Sequence, residues 1–430
     1  MTPMRPAREA GFTLVEILIT LAVSTGLILA VLALFDYNNK VARVQTQITD
    51  MQQSLRIGQY DMVRMVRMAG RGGLPAVQPA LQLPTGVAVA VRNNVAANQY
   101  IVPGDSTTPQ IVPGTDVLTV RGVFTDSVFQ VNHVSGTSFT LTSTPANNPA
   151  TATGGTIHLC EKTTSGVSQE AALDELRKKL GAPTGGAKPR NEALILVSPL
   201  NDSIYGVVQL NPGASLKTST QCDPTDPTAG VTLSFLAGSA AMPTAYRALS
   251  SSAVGENLPA TLTRVAYVGV LEEYRFYVRL DRAVPADPTS DLTPKLSRAQ
   301  FYPGTNTPYV EEPTNLQADV ADNILDLQVS LGMDVNNNLQ IAEGATPVAK
   351  QNDEWLFNAS GEPVINGRLY SLRITALART DRRDTSFQAP ILNSLEDRVY
   401  TTSATDVVNG RTERMYRRRL LQTIVDLRNL

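Results

Sequence analysis

Residues suited to catalysis or metal binding are scarce in this sequence. Its 430 residues include only two histidines, His133 and His158, and two cysteines, Cys160 and Cys222. A catalytic Cys/His pair would have to come from these four, and no G-x-S-x-G motif occurs. His158 and Cys160 together could offer two metal ligands, but a metal site needs three or four. The sequence therefore predicts no enzyme activity, no metal centre and no cofactor.

A large excess of one charge sign is also missing. The formal net charge is −2, so the chain has no overall attraction to nucleic acid, which we do not expect as a partner. With 42% hydrophobic residues the chain can bury a substantial core, and its length permits two or three domains. The 29 glycines and 27 prolines are spread through Ser/Thr/Asn-rich connections, which predicts a β-rich body with long loops.

Charge is nearly absent between Phe12 and Phe35. Glu16 is the one charged residue among these 24, a length above the roughly 20 residues that a helix needs to cross the bilayer core. Two arginines precede the segment and few positive charges follow it immediately, which predicts a cytoplasmic N-terminus and an external body. A cleaved secretory signal is the alternative, but the apolar run is too long for one and no A-x-A site follows. The lipid bilayer is therefore a predicted partner, and Glu16 needs a function to offset its cost there.

Proline is missing between Pro6 and Pro75, which permits one long helix. Apolar residues recur at steps of three and four, so the sequence predicts a continuous helix over residues 12–69, ended by the glycine-rich segment 70–75. We call this set the apolar stripe: Val41, Val44, Ile48, Met51, Leu55, Gly58, Met62, Met65 and Ala69. The stripe could be a coiled-coil seam or a contact with the protein's own sheet. We favour the sheet, because Gly58 interrupts the seam and regular opposite charges are missing beside it.

Short apolar runs separated by turn residues follow the helix and predict strands. In a loop-rich β insertion over residues 70–260 the predicted strands are 86–91, 116–123, 138–143, 193–198, 203–210 and 231–235, with one helix at 169–180. In a C-terminal β-sheet body over residues 261–430, the runs are 261–281, 322–334, 368–378 and 417–430.

Three segments carry partial matches to ligand-binding motifs. Residues 181–188 miss the phosphate-loop spacing and run into Pro189, so they predict a turn. Residues 334–343 place oxygen donors at alternate positions like a calcium loop, but Leu339 replaces the required glycine and we favour a polar hairpin. The arginines at 417–419 could bind phosphate, but we interpret them as the flank of a final strand.

The residues Gly11-Phe12-Thr13-Leu14-Val15-Glu16 resemble the type IV prepilin signature. In that family a dedicated peptidase cuts after the glycine, and the new N-terminal residue is methylated. The resemblance implies a leader peptide over residues 1–11, a methylated Phe12, and a Glu16 that pairs with the N-terminal amine of a neighbouring subunit during assembly. An amine and a carboxylate at positions i and i+4 share one helix face, and a negative charge in the first turn suits the helix dipole.

The C-terminal runs, in their order and with the ending V-D-L-R-N, resemble the PilW-like minor pilins, relatives of the J-type pseudopilins of type II secretion. The resemblance implies an α+β fold, with a long membrane-spanning pilin helix packed on an antiparallel β-rich body. It implies a minor pilin that primes type IV pilus assembly in a low-copy tip complex; a pilus-borne adhesin and a J-type pseudopilin are the alternatives. The implied partners are other minor and major pilins, the prepilin peptidase and the inner-membrane assembly platform. The implied location is the bacterial inner membrane and then the pilus at the cell surface.

The two cysteines follow the predicted span and would lie outside the cytoplasm. Cys160 and Cys222 are the only available pair in an oxidising compartment, so we predict a disulfide between them. Two buried free thiols are the alternative.

Overall fold

The computed structural model describes residues 13–75, 88–96, 111–124, 128–131, 139–143, 148–159, 192–201, 203–211, 217–218, 231–238, 244–253, 255–282, 292–307, 309, 317–334, 341, 354–357 and 368–427. Its helices are α1 (Leu14–Met68) and α2 (Thr244–Leu249), with 3-10 turns at Pro149–Thr151 and Glu413–Met415. Its strands are β1 (Val89–Arg92), β2 (Val117–Gly122), β3 (Phe129–Gln130), β4 (Phe139–Thr142), β5 (Gly154–Leu159), β6 (Ala193–Val197), β7 (Tyr205–Leu210), β8 (Lys217–Thr218), β9 (Val231–Leu236), β10 (Tyr267–Arg282), β11 (Leu292–Phe301), β12 (Gln317–Asp322), β13 (Ile324–Asp334), β14 (Glu354–Leu356), β15 (Arg368–Arg379), β16 (Ser394–Leu395), β17 (Arg398–Val399) and β18 (Arg418–Asp426). The described residues form a long N-terminal helix and an antiparallel β body, so the predicted α+β fold class is confirmed.

Helix α1 runs without interruption through 55 residues, which corresponds to about 83 Å at 1.5 Å per residue. Thr13 caps its first turn, and the chain leaves the helix after Met68. Gly70 then adopts φ +76°, a left-handed conformation that glycine adopts at little cost. The helix predicted over residues 12–69 is confirmed over Leu14–Met68.

The apolar stripe of α1 is buried from Met51 to Ala69. A Cβ atom on Gly58 would lie 2.9 Å from Leu296 and 3.2 Å from Ala321, so this glycine lets the helix approach β11 and β12 closely. This part of the stripe is a contact with the protein's own sheets, and the coiled-coil interpretation is wrong for it. Val41, in contrast, is 37% exposed, so the stripe is open towards its N-terminal end.

The larger sheet has β10 at its centre. Its strand order is β1-β2-β10-β6-β7-β9-β5-β4, with β3 and β11 also paired to β10, β12 to β11 and β8 to β9. The 16 residues of β10 pair with β6 over 267–271 and with β2 over 272–276. Because β2 and β6 belong to the predicted insertion while β10 belongs to the predicted body, one sheet is continuous across the boundary at 260/261.

A second antiparallel sheet has the order β14-β13-β15-β18. One core of apolar residues joins it to α1 and to one face of the larger sheet. Along β6 the buried residues alternate, since Ile195 belongs to this core and Leu194 and Leu196 belong to a second core on the opposite face. Each of the ten predicted β runs overlaps an observed strand, whereas several strands, among them β5 and β11, were not predicted. Strand β11 contains Pro294 and two basic residues.

Candidate functional site

The first turn of α1 contains a reciprocal pair of hydrogen bonds between Thr13 and Glu16. The Glu16 N–H donates to Thr13 Oγ1 at 3.3 Å, and the Thr13 N–H donates to Glu16 Oε2 at 3.4 Å. This arrangement is a capping box, which satisfies two backbone donors that a helix start leaves unpaired. Glu16 therefore has a use within its own chain. Our sequence reasoning missed that use, although the Thr-x-x-Glu spacing signals it.

Glu16 lies at one end of an exposed apolar surface. Within α1, a window of 18 residues has a mean hydropathy of 2.6 and is 0% buried, so by length and composition the helix could span a membrane. The hydroxyls of Thr20, Ser24 and Thr25 donate to carbonyl oxygens one turn earlier, so they have partners without water. Past the apolar run, Lys40 pairs with Asp36 at 2.9 Å on the exposed surface. The chain thus carries a candidate membrane span with an acidic residue in its first turn.

Several predicted sites lie outside the described residues. They include Gly11 and Phe12 of the processing site, and both cysteines of the predicted disulfide, Cys160 and Cys222. The helix predicted at 169–180, the turn at 181–188 and most of the loop at 334–343 also lie outside them. All of these stay predictions.

His158 lies on β5, next to β9. Its Nδ1 is 3.1 Å from Thr232 Oγ1, so the ring pairs with a hydroxyl of the neighbouring strand. Within the described ranges no three His, Cys, Asp or Glu side chains come together as metal ligands.

A fully buried carboxylate lies at the centre of the larger sheet. Arg121 Nε donates to Glu273 Oε2 at 2.6 Å, Arg275 Nε donates to Oε1 at 2.6 Å, and the Gly304 N–H donates to Oε2 at 2.6 Å. Burial alone would raise the pKa of Glu273, but the charges of Arg121 and Arg275 outweigh it and hold this pKa below its usual range. The charged carboxylate therefore links β2, β10 and the turn after β11.

A second buried carboxylate joins the segment before β2 to β13. Asp116 accepts the Asn94 N–H at 2.9 Å and the Val329 N–H at 2.7 Å. Burial, helped by the nearby charges of Asp397 and Asp326, outweighs these two hydrogen bonds and raises the pKa of Asp116 to about 8. Asp116 therefore holds its proton at neutral pH in the folded protein.

Replacing Asp116 with asparagine should make stability less dependent on pH. The folded state keeps the Asp116 proton up to a pKa of about 8, whereas the unfolded chain releases it near 3.8, so stability falls as the pH rises between these values. Asparagine resembles the protonated form and does not titrate. We expect the melting temperature of Asp116→Asn, measured on the full chain in detergent, to fall less between pH 5 and pH 8 than that of the parent.

Asp319→Asn is the matched control for this measurement. The pKa of Asp319 is lowered to about 2, because burial is outweighed by hydrogen bonds from Arg279, Ser297 and Lys295. Asp319 therefore stays charged from pH 5 to pH 8. Its replacement should leave the change in melting temperature between these pH values the same as in the parent. If the melting temperature of Asp116→Asn fell as much between pH 5 and pH 8 as that of the parent, the prediction would be contradicted.

No protein-family model, curated protein or solved structure matches this chain. The class of protein therefore follows from its architecture: an α+β protein whose N-terminal apolar helix, a candidate membrane anchor, continues into a β-rich body.

Proposed function

We propose that this chain is a minor pilin that primes type IV pilus assembly and lies in a low-copy complex at the pilus tip. One observation carries the proposal: α1 is a single helix with an exposed apolar first part and a last part buried in the β body. Such a helix can pass lengthwise from a bilayer into a fibre without unfolding the body, because the described body residues make no contact with the apolar window.

Glu16 supports the proposal through its charge. The capping box gives its carboxylate hydrogen bonds but no opposite charge, and an unpaired charge in an apolar surrounding costs a few kcal/mol. Cleavage after Gly11 would create a positive amine at Phe12, four residues before this carboxylate in the sequence. A neighbouring subunit that supplies such an amine would neutralise Glu16, so the carboxylate would favour association of anchors in the membrane.

The open end of the apolar stripe supports a role among other helices. Val41 is exposed, and Val44 and Ile48 are only partly buried by the chain's own body. These three residues continue the buried stripe towards the membrane, so a parallel helix from another pilin could pack there. The expected partners are other minor and major pilins, with the peptidase and the assembly platform acting earlier in the membrane.

Mass spectrometry of the mature chain tests the proposal. We expect its first residue to be an N-methylated Phe12, because the peptidase cuts after Gly11. The leader of residues 1–11 should be missing from every copy in sheared fibres. An intact Met1 start in assembled fibres would contradict the proposal.

The position of the chain can be tested by labelling. A repeating fibre subunit must leave room for neighbours on every side, whereas a terminal subunit carries large loops without this constraint. The insertion over residues 70–260 is poorly suited to repetition, so we expect a tag inserted between β4 and the 3-10 turn at Pro149–Thr151 to mark fibre ends with gold. Even labelling along the shaft would show a repeating subunit instead.

Deletion of the whole chain separates the alternatives. A minor pilin that primes assembly predicts loss of fibres, and an adhesin predicts fibres that no longer attach. A J-type pseudopilin predicts normal fibres and loss of type II secretion.

A further inference from the structure

Strand β18 is an edge of the four-stranded sheet. In the described part of the chain it pairs with β15 alone. The Leu427 N–H donates to Tyr370 O, and the Thr380 N–H donates to Arg417 O. Along an antiparallel strand, residues that bond to the neighbouring strand alternate with residues whose backbone groups point away from it. Since Arg417 and Leu427 bond on the β15 side, the odd-numbered residues of β18 do so, and the even-numbered residues direct their N–H and C=O groups outwards. The outward set includes Leu420, Gln422 and Ile424.

This edge has little of the usual protection of an open strand, because its charged residues, Arg418, Arg419 and Asp426, lie only at its two ends. Natural edge strands are short, bulged, interrupted by proline or covered by charge. The opposite edge of the same sheet, β14, has three residues, whereas β18 has nine and contains no proline. Two large apolar side chains on it are open to solvent, with Leu420 47% and Ile424 53% exposed. A row of outward backbone groups beside exposed apolar side chains is a surface suited to pairing with another strand.

A cleft lies at the Arg418 end of this edge. Its volume is about 570 Å³, and apolar side chains including Ile48, Met51, Leu392 and Leu420 contribute to its lining. Because Ile48 and Met51 belong to α1 just beyond its exposed part, the cleft lies at the end of β18 nearest the anchor. Arg419 also lines the cleft and is exposed.

The neighbouring arginines are already engaged. Arg417 pairs with Asp384 at 3.1 Å, and Arg418 donates to the carbonyl oxygens of Val408 and Pro390. Among the described residues no carboxylate pairs with Arg419, which leaves its guanidinium open to an acidic group from outside the body.

Antiparallel pairing with β18 of a second copy of this chain does not fit. Two β18 strands paired in antiparallel fashion are related by a twofold axis perpendicular to the sheet. This rotation also reverses α1, which packs on the same sheet, so the two N-terminal spans would point in opposite directions. Chains anchored with the same orientation in one membrane cannot form this pair.

We propose that the open edge of β18 binds an extended segment of a different protein chain by strand addition. The segment carries apolar side chains at alternate positions over Leu420 and Ile424, and an acidic residue at the end that meets Arg419. Backbone hydrogen bonds to the outward groups supply affinity, while the cleft and Arg419 set register and direction. The surface belongs to the folded body, so the inference does not depend on the proposed function in a pilus.

Hydrogen exchange resolved to single amides tests the inference on the full chain in detergent. The probe is a synthetic peptide as long as β18, with glutamates at one end followed by alternating valine and threonine; a second peptide has lysines in place of the glutamates. We expect the acidic peptide to slow exchange at Leu420, Gln422 and Ile424 by about tenfold or more. The amides of Leu421 and Thr423, already bonded to β15, should not change. We expect the basic peptide to bind more weakly, because Arg419 repels it.

Two variants and a matched control test the roles of the outward backbone groups and of Arg419. Gln422→Pro removes an outward N–H without removing a bond to β15, and edge strands tolerate proline at such positions. It should weaken peptide binding about tenfold or more while the melting temperature stays close to that of Gln422→Ala, which should bind like the parent. Arg419→Glu should reverse the preference between the acidic and basic peptides.

Three results would overturn the inference. They are outward amides already protected in the free chain, no added protection from either peptide at millimolar concentration, and equal binding by Gln422→Pro and Gln422→Ala. Each concerns binding to the purified chain, so none bears on the processing of Phe12, which tests the proposed function separately.

Discussion

Glu16→Leu is expected to abolish entry of the chain into fibres while leaving its insertion into the membrane intact. The substitution makes the span more apolar, so insertion is favoured. It also removes the only negative charge that a neighbour's N-terminal amine could meet within the apolar run. We expect membrane fractions to contain the variant at the parental level, and immunoblots of sheared fibres to lack it.

Two variants separate the charge of Glu16 from its role in the capping box. Glu16→Gln keeps an acceptor for the Thr13 N–H but removes the charge, since glutamine also serves at this position of a capping box. Thr13→Ala keeps the charge but removes the hydroxyl that accepts the Glu16 N–H, at a cost of about 1 kcal/mol of helix stability. We expect Glu16→Gln to be excluded from fibres and Thr13→Ala to be incorporated.

The opposite pattern would assign Glu16 a local role only. Normal incorporation of Glu16→Gln, together with exclusion of Thr13→Ala, would mean that the carboxylate starts the helix and makes no contact with a neighbour.

Glu273→Ala should strongly destabilise the body. It removes the carboxylate that pairs with the buried guanidinium groups of both Arg121 and Arg275, and it removes the acceptor of the Gly304 N–H. Breaking a buried ion pair by removing one partner costs about 3–5 kcal/mol. We expect a loss of this size in the free energy of unfolding of the full chain in detergent, measured by urea denaturation.

The control is an exposed carboxylate from the same sheet. Asp322 is 63% exposed and lies 3.9 Å from Lys295, so Asp322→Ala should cost at most about 1 kcal/mol. Replacing Arg121, Glu273 and Arg275 together with apolar residues of similar volume should recover most of the loss, because the three charges are then removed together. A cost for Glu273→Ala as small as that for Asp322→Ala would show that water reaches the network.

Local patterns were enough to predict the long helix and the positions of ten strands. The helix needs only an unbroken run without proline and a glycine cluster to end it, and both are local properties of residues 12–75. The strand positions follow from alternation and turn residues in the same way, which is why β2, β6 and β13 were found nearly to their ends. Strand β11 was missed because its burial depends on α1 and β10 rather than on its own pattern.

The role of each charged residue could not be predicted in this way. Glu273 lies in a run where charged and apolar residues mix, a pattern that also describes a strand with one face in water. It is buried because β10 lies between β2 and β11, and the sequence contains no local signal for that neighbourhood. Burial raises the pKa of Asp116, and this buried position likewise depends on distant residues such as Val329 of β13, more than 200 positions away in the chain.

The candidate anchor, its single acidic residue and the long helix that continues from it follow from the order of residues alone, because helix formation and membrane crossing depend on neighbours within a few turns. Tertiary structure decided how far that helix is buried. The stripe has the same spacing from Val41 to Ala69, yet it is buried only from Met51 onwards, since the body begins to cover it there. Tertiary structure also joined the predicted insertion to the predicted body through β10, because strand pairing depends on which distant backbones meet and not on the sequence of either strand.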